Sequence, residues 1–246
     1  MEQTAARHAA EMLLAEHKAN TTFKPFDRPH GPANVSDAYD IQDRFVGLLR
    51  AEHGNTIGYK VGLTSETMQK FCGIDHPIAG VVLANRLHRS GATIRRADFG
   101  RLGLEFEIAV RIKSDVPPST TPVSAEAIAP YIAGVCAAIE LVDDRAADYT
   151  HLDVLALLSD NSWNAGIVLS ELVTNWPDLE GVLGRATKDG TAIGEGMSLF
   201  IRCSGAQPKR LSLRDSPTRR EMRVLDGIGP LVFGRSTIIF RKPCYG

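Results

Sequence analysis

The stretch Gly103-Leu104-Glu105-Phe106-Glu107-Ile108-Ala109-Val110 places apolar residues at 104, 106, 108 and 110 and two carboxylates between them. On a strand, successive side chains point to opposite faces, so the large apolar groups share one face and Glu105 and Glu107 the other. Small neighbours, Gly103 and Ala109, flank the acidic pair. Residues 102–112 are therefore read as a strand that brings two acids to one point.

A third acid stands in a similar setting. Glu140 interrupts Ala137-Ala138-Ile139-Glu140-Leu141-Val142, an apolar run in which an unpaired charge is expensive to bury. Three carboxylates offset one another only around something positive, and all-oxygen ligation suits a hard cation such as Mg²⁺ or Mn²⁺. Zinc fits less well, because neither acidic run, 103–110 or 137–142, contains a His or Cys to join them. Taken alone, Glu-x-Glu is more often the solvated face of a half-exposed strand, and a paired core carboxylate is an equal contender for Glu140.

Lys60 lies in Ile57-Gly58-Tyr59-Lys60-Val61-Gly62-Leu63, where 57, 59, 61 and 63 make one face and Gly58, Lys60 and Gly62 the other. The glycines leave room for a ligand beside an ammonium able to hold a carboxylate or move a proton. An exposed strand lysine is the commoner alternative. Thr64 and Ser65 follow, either as donors to a substrate carboxylate or as a polar turn. In Leu158-Ser159-Asp160-Asn161-Ser162-Trp163-Asn164, a polar cluster interrupts apolar surroundings, as in a loop entering a site or a self-bonded turn. Asp143, Asp144 and Arg145 read as a structural ion pair. The histidines have neither metal-ligand spacing nor a Ser or Cys partner, and none is assigned a role.

Ahead of these runs the texture is helical. Residues 4–19 carry Ala9, Met12, Leu13 and Glu16 at helical intervals, and a link over 25–32 leads to a second helix that Ser36 caps. Its apolar stripe is Ala38, Ile41, Phe45, Leu48 and Leu49. After His53-Gly54-Asn55, β-like runs cover 56–63, 79–84, 102–112, 135–142, 165–169 and 181–187, with Lys188-Asp189-Gly190 as a hairpin turn. A helix from Ser124 to about 131 and a helical or mixed segment over 153–158 interrupt them. The fold class is α+β: a helical N-terminal region (1–54) packed on a mixed β-roll or barrel (55–198), then an atypical tail (199–246).

With 246 residues, 43% of them hydrophobic, the chain is long enough to bury a full core. A formal charge of -1 gives no basic excess, which argues against nucleic-acid and membrane-surface partners. No apolar run approaches the roughly 18 residues of a membrane span, and acidic Glu2 and Glu11 are unlike an export leader. A cytoplasmic protein is expected. Cys72, Cys136, Cys203 and Cys244 are scattered, consistent with reduced thiols.

Gly58-Tyr59-Lys60-Val61-Gly62-Leu63-Thr64-Ser65, Gly103-Leu104-Glu105-Phe106-Glu107-Ile108-Ala109, Glu140-Leu141-Val142-Asp143-Asp144-Arg145 and Asp160-Asn161-Ser162, in this order, resemble one family. It is that of 2-keto-4-pentenoate hydratase and 2-oxo-3-hexenedioate decarboxylase, within the fumarylacetoacetate hydrolase superfamily, and the resemblance covers about residues 5–198. It implies a homo-oligomer whose Mg²⁺ or Mn²⁺ is held by Glu105, Glu107 and Glu140 beside a catalytic Lys60, with Thr64, Ser65, Asp160 and Asn161 toward the substrate. The expected reaction is hydration of a small 2-hydroxydienoate or 2-oxo-enoate to a 4-hydroxy-2-oxo acid, as in aromatic meta-cleavage catabolism. Alternatives on the same scaffold are a 2-oxo acid decarboxylase, an acylpyruvate-type C–C hydrolase and a non-catalytic structural homologue.

Two departures stand out. Where the family often has Pro-Asp-Phe-Gly, this chain has Pro77-Ile78-Ala79-Gly80, without the acid. From 201 to 246 there are ten Lys and Arg against three acids, hydrophobic periodicity fades, and no Gly-His-Pro segment follows, so the tail reads as a shifted frame, a mis-predicted exon or a poorly ordered segment.

Overall fold

The computed structural model describes residues 1–26, 31–117, 123–176, 179, 182–188, 190–197, 223–225, 231–232 and 237–240. Two helices come first, α1 (Gln3–Ala19) and α2 (Val35–His53). Ala6, Ala9, Ala10 and Leu13 of α1 pack on Ile41 and Phe45 of α2, the small alanines letting the two helices approach closely. The first ends at Asn20, which turns left-handed and returns its N–H to the carbonyls of Glu16 and His17. Asn34, rather than the expected Ser36, caps the second: its side chain accepts from the Asp37 N–H at 3.0 Å. Residues 27–30 of the expected link lie outside the described residues.

The main sheet uses β1 (Thr56–Gly62), β2 (Ile78–Leu83), β3 (Leu87–Arg89), β5 (Leu102–Ile112), β6 (Ile132–Asp143), β7 (Asn164–Leu169), β11 (Leu231–Val232) and β12 (Thr237–Phe240). Their order is β2-β1-β12-β5-β6-β7-β3, with β11 also paired to β5. β12 runs parallel to β5 and antiparallel to β1, and β3 is parallel to β7, so the sheet is mixed as expected. Between β3 and β5 comes β4 (Thr93–Arg95), which pairs with β10 (Arg223–Leu225), and β8 (Leu183–Lys188) pairs with β9 (Thr191–Met197) as a hairpin. Asp189 of the predicted turn lies outside the described residues. So do residues 199–222, 226–230, 233–236 and 241–246, most of the tail on which the atypical reading rests.

Of the expected roll or barrel the mixed sheet is present, but it does not close into a barrel: among the described residues, the end strands β2 and β3 are not hydrogen-bonded to each other. The reason is local. A short 3-10 turn (Ala84–Arg86) carries the chain from one end strand directly to the other, so the gap is spanned by the backbone itself and the ladder breaks there. Arg86 seals the seam by donating to the Ala165 carbonyl at 2.8 Å. Gly166, at φ 151°, accepts the close approach, since a Cβ there would meet the Arg86 carbonyl oxygen at 2.8 Å.

The short helices lie between strands: α3 (Glu66–Cys72) after β1, α4 (Ala125–Ile128), capped by Ser124, before β6, and α5 (Val154–Ser159), capped by Asp153, before β7. The helical layer covers the outer face of β2, where Val46 of α2 meets Val81 and Leu83. Gln42, buried on α2, ties three elements together by donating to the carbonyls of Ala79 and Leu158 at 2.9 and 2.8 Å. Among the described residues, no helix is long and apolar enough to cross a membrane.

Candidate metal centre

Strand pairing assembles the acids. In the antiparallel β5–β6 ladder Glu105 stands directly opposite Glu140, while Glu107, two residues on and on the same face, faces the small Ala138. One carboxylate oxygen from each of Glu105, Glu107 and Glu140 lies within 4.8 Å of the others. Glu107 and Glu140 are buried, and Glu105 is half-buried. The opposite face of β5 gives Leu102 and Leu104 to a core with Leu141 and Val168, as the alternation predicts.

Lys60 reaches the same face from β1. In register it pairs with Ile238 of β12, which pairs in turn with Ala109, two residues past Glu107 on β5. The buried ammonium sits 3.3 Å from Glu140 Oε1. Its neighbouring glycines make room: a Cβ at Gly80 would meet Lys60 Cγ at 3.2 Å, and one at Gly62 would meet Nζ at 3.2 Å. Burial pulls the Lys60 pKa down, but Glu140, Glu105 and Glu107 together outweigh it and hold the ammonium above its ordinary value.

Three carboxylates around one ammonium carry a formal excess of two negative charges. That excess, in a buried place, is what a divalent ion neutralises, and an all-carboxylate oxygen donor set matches hard cations. Glu140 Oε2 is buried without a hydrogen-bond partner among the described residues, an acceptor still to be satisfied. The residues present therefore fit a divalent metal.

Without a cation the strain shows on Glu105. Burial drives its carboxyl from an ordinary 4.5 up to about 7; the Lys60 ammonium opposes the rise and Glu140 adds to it. Because folding raises this pKa, the folded chain keeps a proton that the unfolded chain has released between those two values. The resulting stability is complete below pH 4.5 and is lost as pH rises through about 7, on the order of 3 kcal/mol in all. We expect urea melts of the metal-free protein, taken relative to Glu105→Gln, to show stability falling across that window. Mg²⁺ should then stabilise more at pH 8 than at pH 5.5, and a pH-independent difference would count against the acid cluster.

The remaining sequence candidates are placed as follows. Ser65 caps α3, its hydroxyl accepting from the Met68 N–H at 3.3 Å, and Thr64 precedes it. Asp160 is fully buried and engaged by Arg145 at 2.8 Å and His17 at 2.5 Å. Asn161 spends its side chain on the backbone of Val81. Asp143 accepts from the N–H groups of Gly100, Arg101 and Arg145, while Asp144 pairs with Arg101 and Arg145 with Asp160 and Glu16. Among the described residues the Arg145 guanidinium thus forms no ion pair with either adjacent aspartate. Sequence reasoning missed Asn164, whose side-chain amide donates to Glu140 Oε1 at 2.8 Å; its only signal was its place at the end of the polar cluster.

No protein-family model matches the chain. A 2-oxo-hept-4-ene-1,7-dioate hydratase of Escherichia coli is 29% identical over 166 residues, which cover 65% of this chain and 61% of that enzyme. A 2-keto-4-pentenoate hydratase of Burkholderia vietnamiensis is 29% identical over 240 residues, covering 92% of this chain and 88% of the relative. The solved structure of 4-oxalocrotonate decarboxylase from Pseudomonas putida G7, complexed with magnesium and adipate, has a TM-score of 0.71 at 18% identity, over 80% of this chain and 74% of that one, a likeness of fold. In sequence the chain is thus similar to the 2-keto-4-pentenoate hydratases and in fold to 4-oxalocrotonate decarboxylase, in keeping with the resemblance its ordered motifs carry.

Proposed function

We propose that this chain is a divalent-metal lyase acting on a small 2-oxo-enoic or 2-hydroxydienoic acid, with Mg²⁺ or Mn²⁺ held by Glu105, Glu107 and Glu140. The observation that carries the reading is the meeting of those three carboxylates with one buried ammonium. The metal, when bound, supplies Lewis-acid stabilisation of negative charge on the 2-oxygen of the substrate. Lys60 holds or delivers a proton at that oxygen or along the conjugated chain, and burial around it keeps bulk water from competing.

The sequence favoured hydration; the site favours decarboxylation of a 2-oxo-3-enedioate. In that reaction the bond to the distal carboxylate breaks, its electron pair moves through the conjugated chain to the 2-oxygen, CO₂ leaves, and one proton is taken up. Hydration places protons on two carbons and also needs a base for the incoming water. Among the described residues the charged groups acting on Lys60 are Glu140, Glu105 and Glu107, all committed to the cation. One proton carrier meets the simpler requirement, and Ile78, where the family often has an acid, offers no second one. The relatives include hydratases, so hydration is the second reading.

Incubating the purified chain and Mg²⁺ or Mn²⁺ with 2-oxo-3-hexenedioate and, separately, 2-hydroxypenta-2,4-dienoate decides between them. Release of CO₂ from the first supports the proposal. A 4-hydroxy-2-oxo acid from the second without CO₂ from the first reverses the order, and no metal-dependent product from either rejects the lyase reading.

A further inference from the structure

The two oxygens of Glu140 have different surroundings. Oε1 lies 3.3 Å from Lys60 Nζ and accepts the 2.8 Å hydrogen bond from Asn164, whereas Oε2 is buried with no hydrogen-bond partner among the described residues. A carboxylate only accepts, so the NH₂ end of the Asn164 amide is the end that faces it. Two donors on one oxygen fix the carboxylate plane and leave the other oxygen for a cation.

The turn before Asn164 aims it. Asn161, Ser162 and Trp163 hold φ of 51°, 51° and 57°, a left-handed run that side-chain-bearing residues rarely adopt one after another. It persists because β2 clamps it. Asn161 accepts from the Val81 N–H at 2.7 Å and donates to the Val81 carbonyl at 2.9 Å, and the Ser162 hydroxyl donates to the Ala79 carbonyl at 3.2 Å. Gly80 supplies the clearance, since a Cβ there would lie 2.7 Å from the Asn161 carbonyl oxygen. On the other side, Arg145 and His17 grip Asp160, and Trp163 packs edge-on against Phe23 with ring centroids 5.0 Å apart. Many contacts thus over-determine one strained turn, whose next residue touches Glu140.

We propose that Asn164 is a positioning residue for Glu140, aimed by the clamped left-handed turn so that Oε2 is the oxygen presented to a divalent cation. This rests on the metal reading given above. Outer partners that orient metal-ligating carboxylates are worth roughly 10–100-fold in metal affinity. The test is Mn²⁺ affinity, by electron paramagnetic resonance on the intact chain, for wild type, Asn164→Leu, Asn164→Ala and Glu107→Gln, with melting temperatures of the metal-free proteins. Asn164→Leu keeps the volume and removes the donor, and Asn164→Ala covers the case in which the larger side chain disturbs folding. The expected result is roughly 10–100-fold weaker Mn²⁺ binding in the Asn164 variants at near-wild-type melting temperature. Wild-type affinity in a folded Asn164 variant, alongside lost binding in Glu107→Gln, overturns the positioning role alone. Absence of Mn²⁺ binding in wild type, or unchanged affinity in Glu107→Gln, overturns the three-glutamate metal reading and this role with it.

Discussion

Glu107→Gln should reduce turnover below detection, by at least about 1,000-fold, and weaken Mn²⁺ binding by more than the roughly 10–100-fold that loss of an outer partner costs. Glu107 is buried on the acidic face of β5, opposite Ala138, so glutamine fits the same space. The substitution removes one negative charge and turns one acceptor into a donor pair. In the metal-free protein that change relieves repulsion among the carboxylates, because the new N–H groups face acceptors instead of a third charge. The metal-free melting temperature is therefore expected to hold or rise while function disappears. Titration of Mn²⁺ and a steady-state assay on the same preparation check both halves, and a variant with full activity and unchanged affinity removes Glu107 from the ligand set.

That this residue was legible from sequence follows from strand geometry. The alternation in β5 fixed which side chains share a face, and the strand bounds, Leu102–Ile112, coincide with the expectation. Glu140 was visible as a lone charge in an apolar run, and Lys60 as a charge between glycines that the structure uses for clearance. What alternation cannot give is register. That Glu140 stands opposite Glu105, and that β12 from the far end of the chain lies between β1 and β5, are long-range pairings with no local signature.

Asp160 and Asn161 show the opposite limit. Their polarity in an apolar setting suggested a substrate loop, but the partners that engage them, Arg145, His17 and the backbone of Val81, are contributed by other elements. The left-handed run at Asn161, Ser162 and Trp163 contains no glycine, so the usual sequence marker for that conformation was missing. Asn164 went unnoticed for the same reason: its role depends on where that turn points it. The break between β2 and β3 was hidden too, because the three-residue β3 was not read as a strand and only pairing shows that the two segments sit at opposite ends of one sheet.

Lys60→Met should separate proton transfer from metal binding. The ammonium is buried and faces the acids, so its removal takes away the positive charge that partly offsets them in the metal-free fold. Breaking a buried ion pair from one side costs about 3–5 kcal/mol, and urea melts of the metal-free variant should show a loss of that order. Mg²⁺ should restore most of it, since a dication takes over the neutralisation. Metal affinity is expected to rise, because a competing cation 3.3 Å from Glu140 is gone. Turnover should nevertheless fall by about 100- to 10,000-fold, the usual contribution of a positioned acid or base. Methionine matches the lysine stem in reach, so substrate and metal keep their places. Tighter Mn²⁺ binding together with collapsed kcat would assign Lys60 to moving the proton. Retained kcat would make it a counter-charge only, and the proton would then have to come from water.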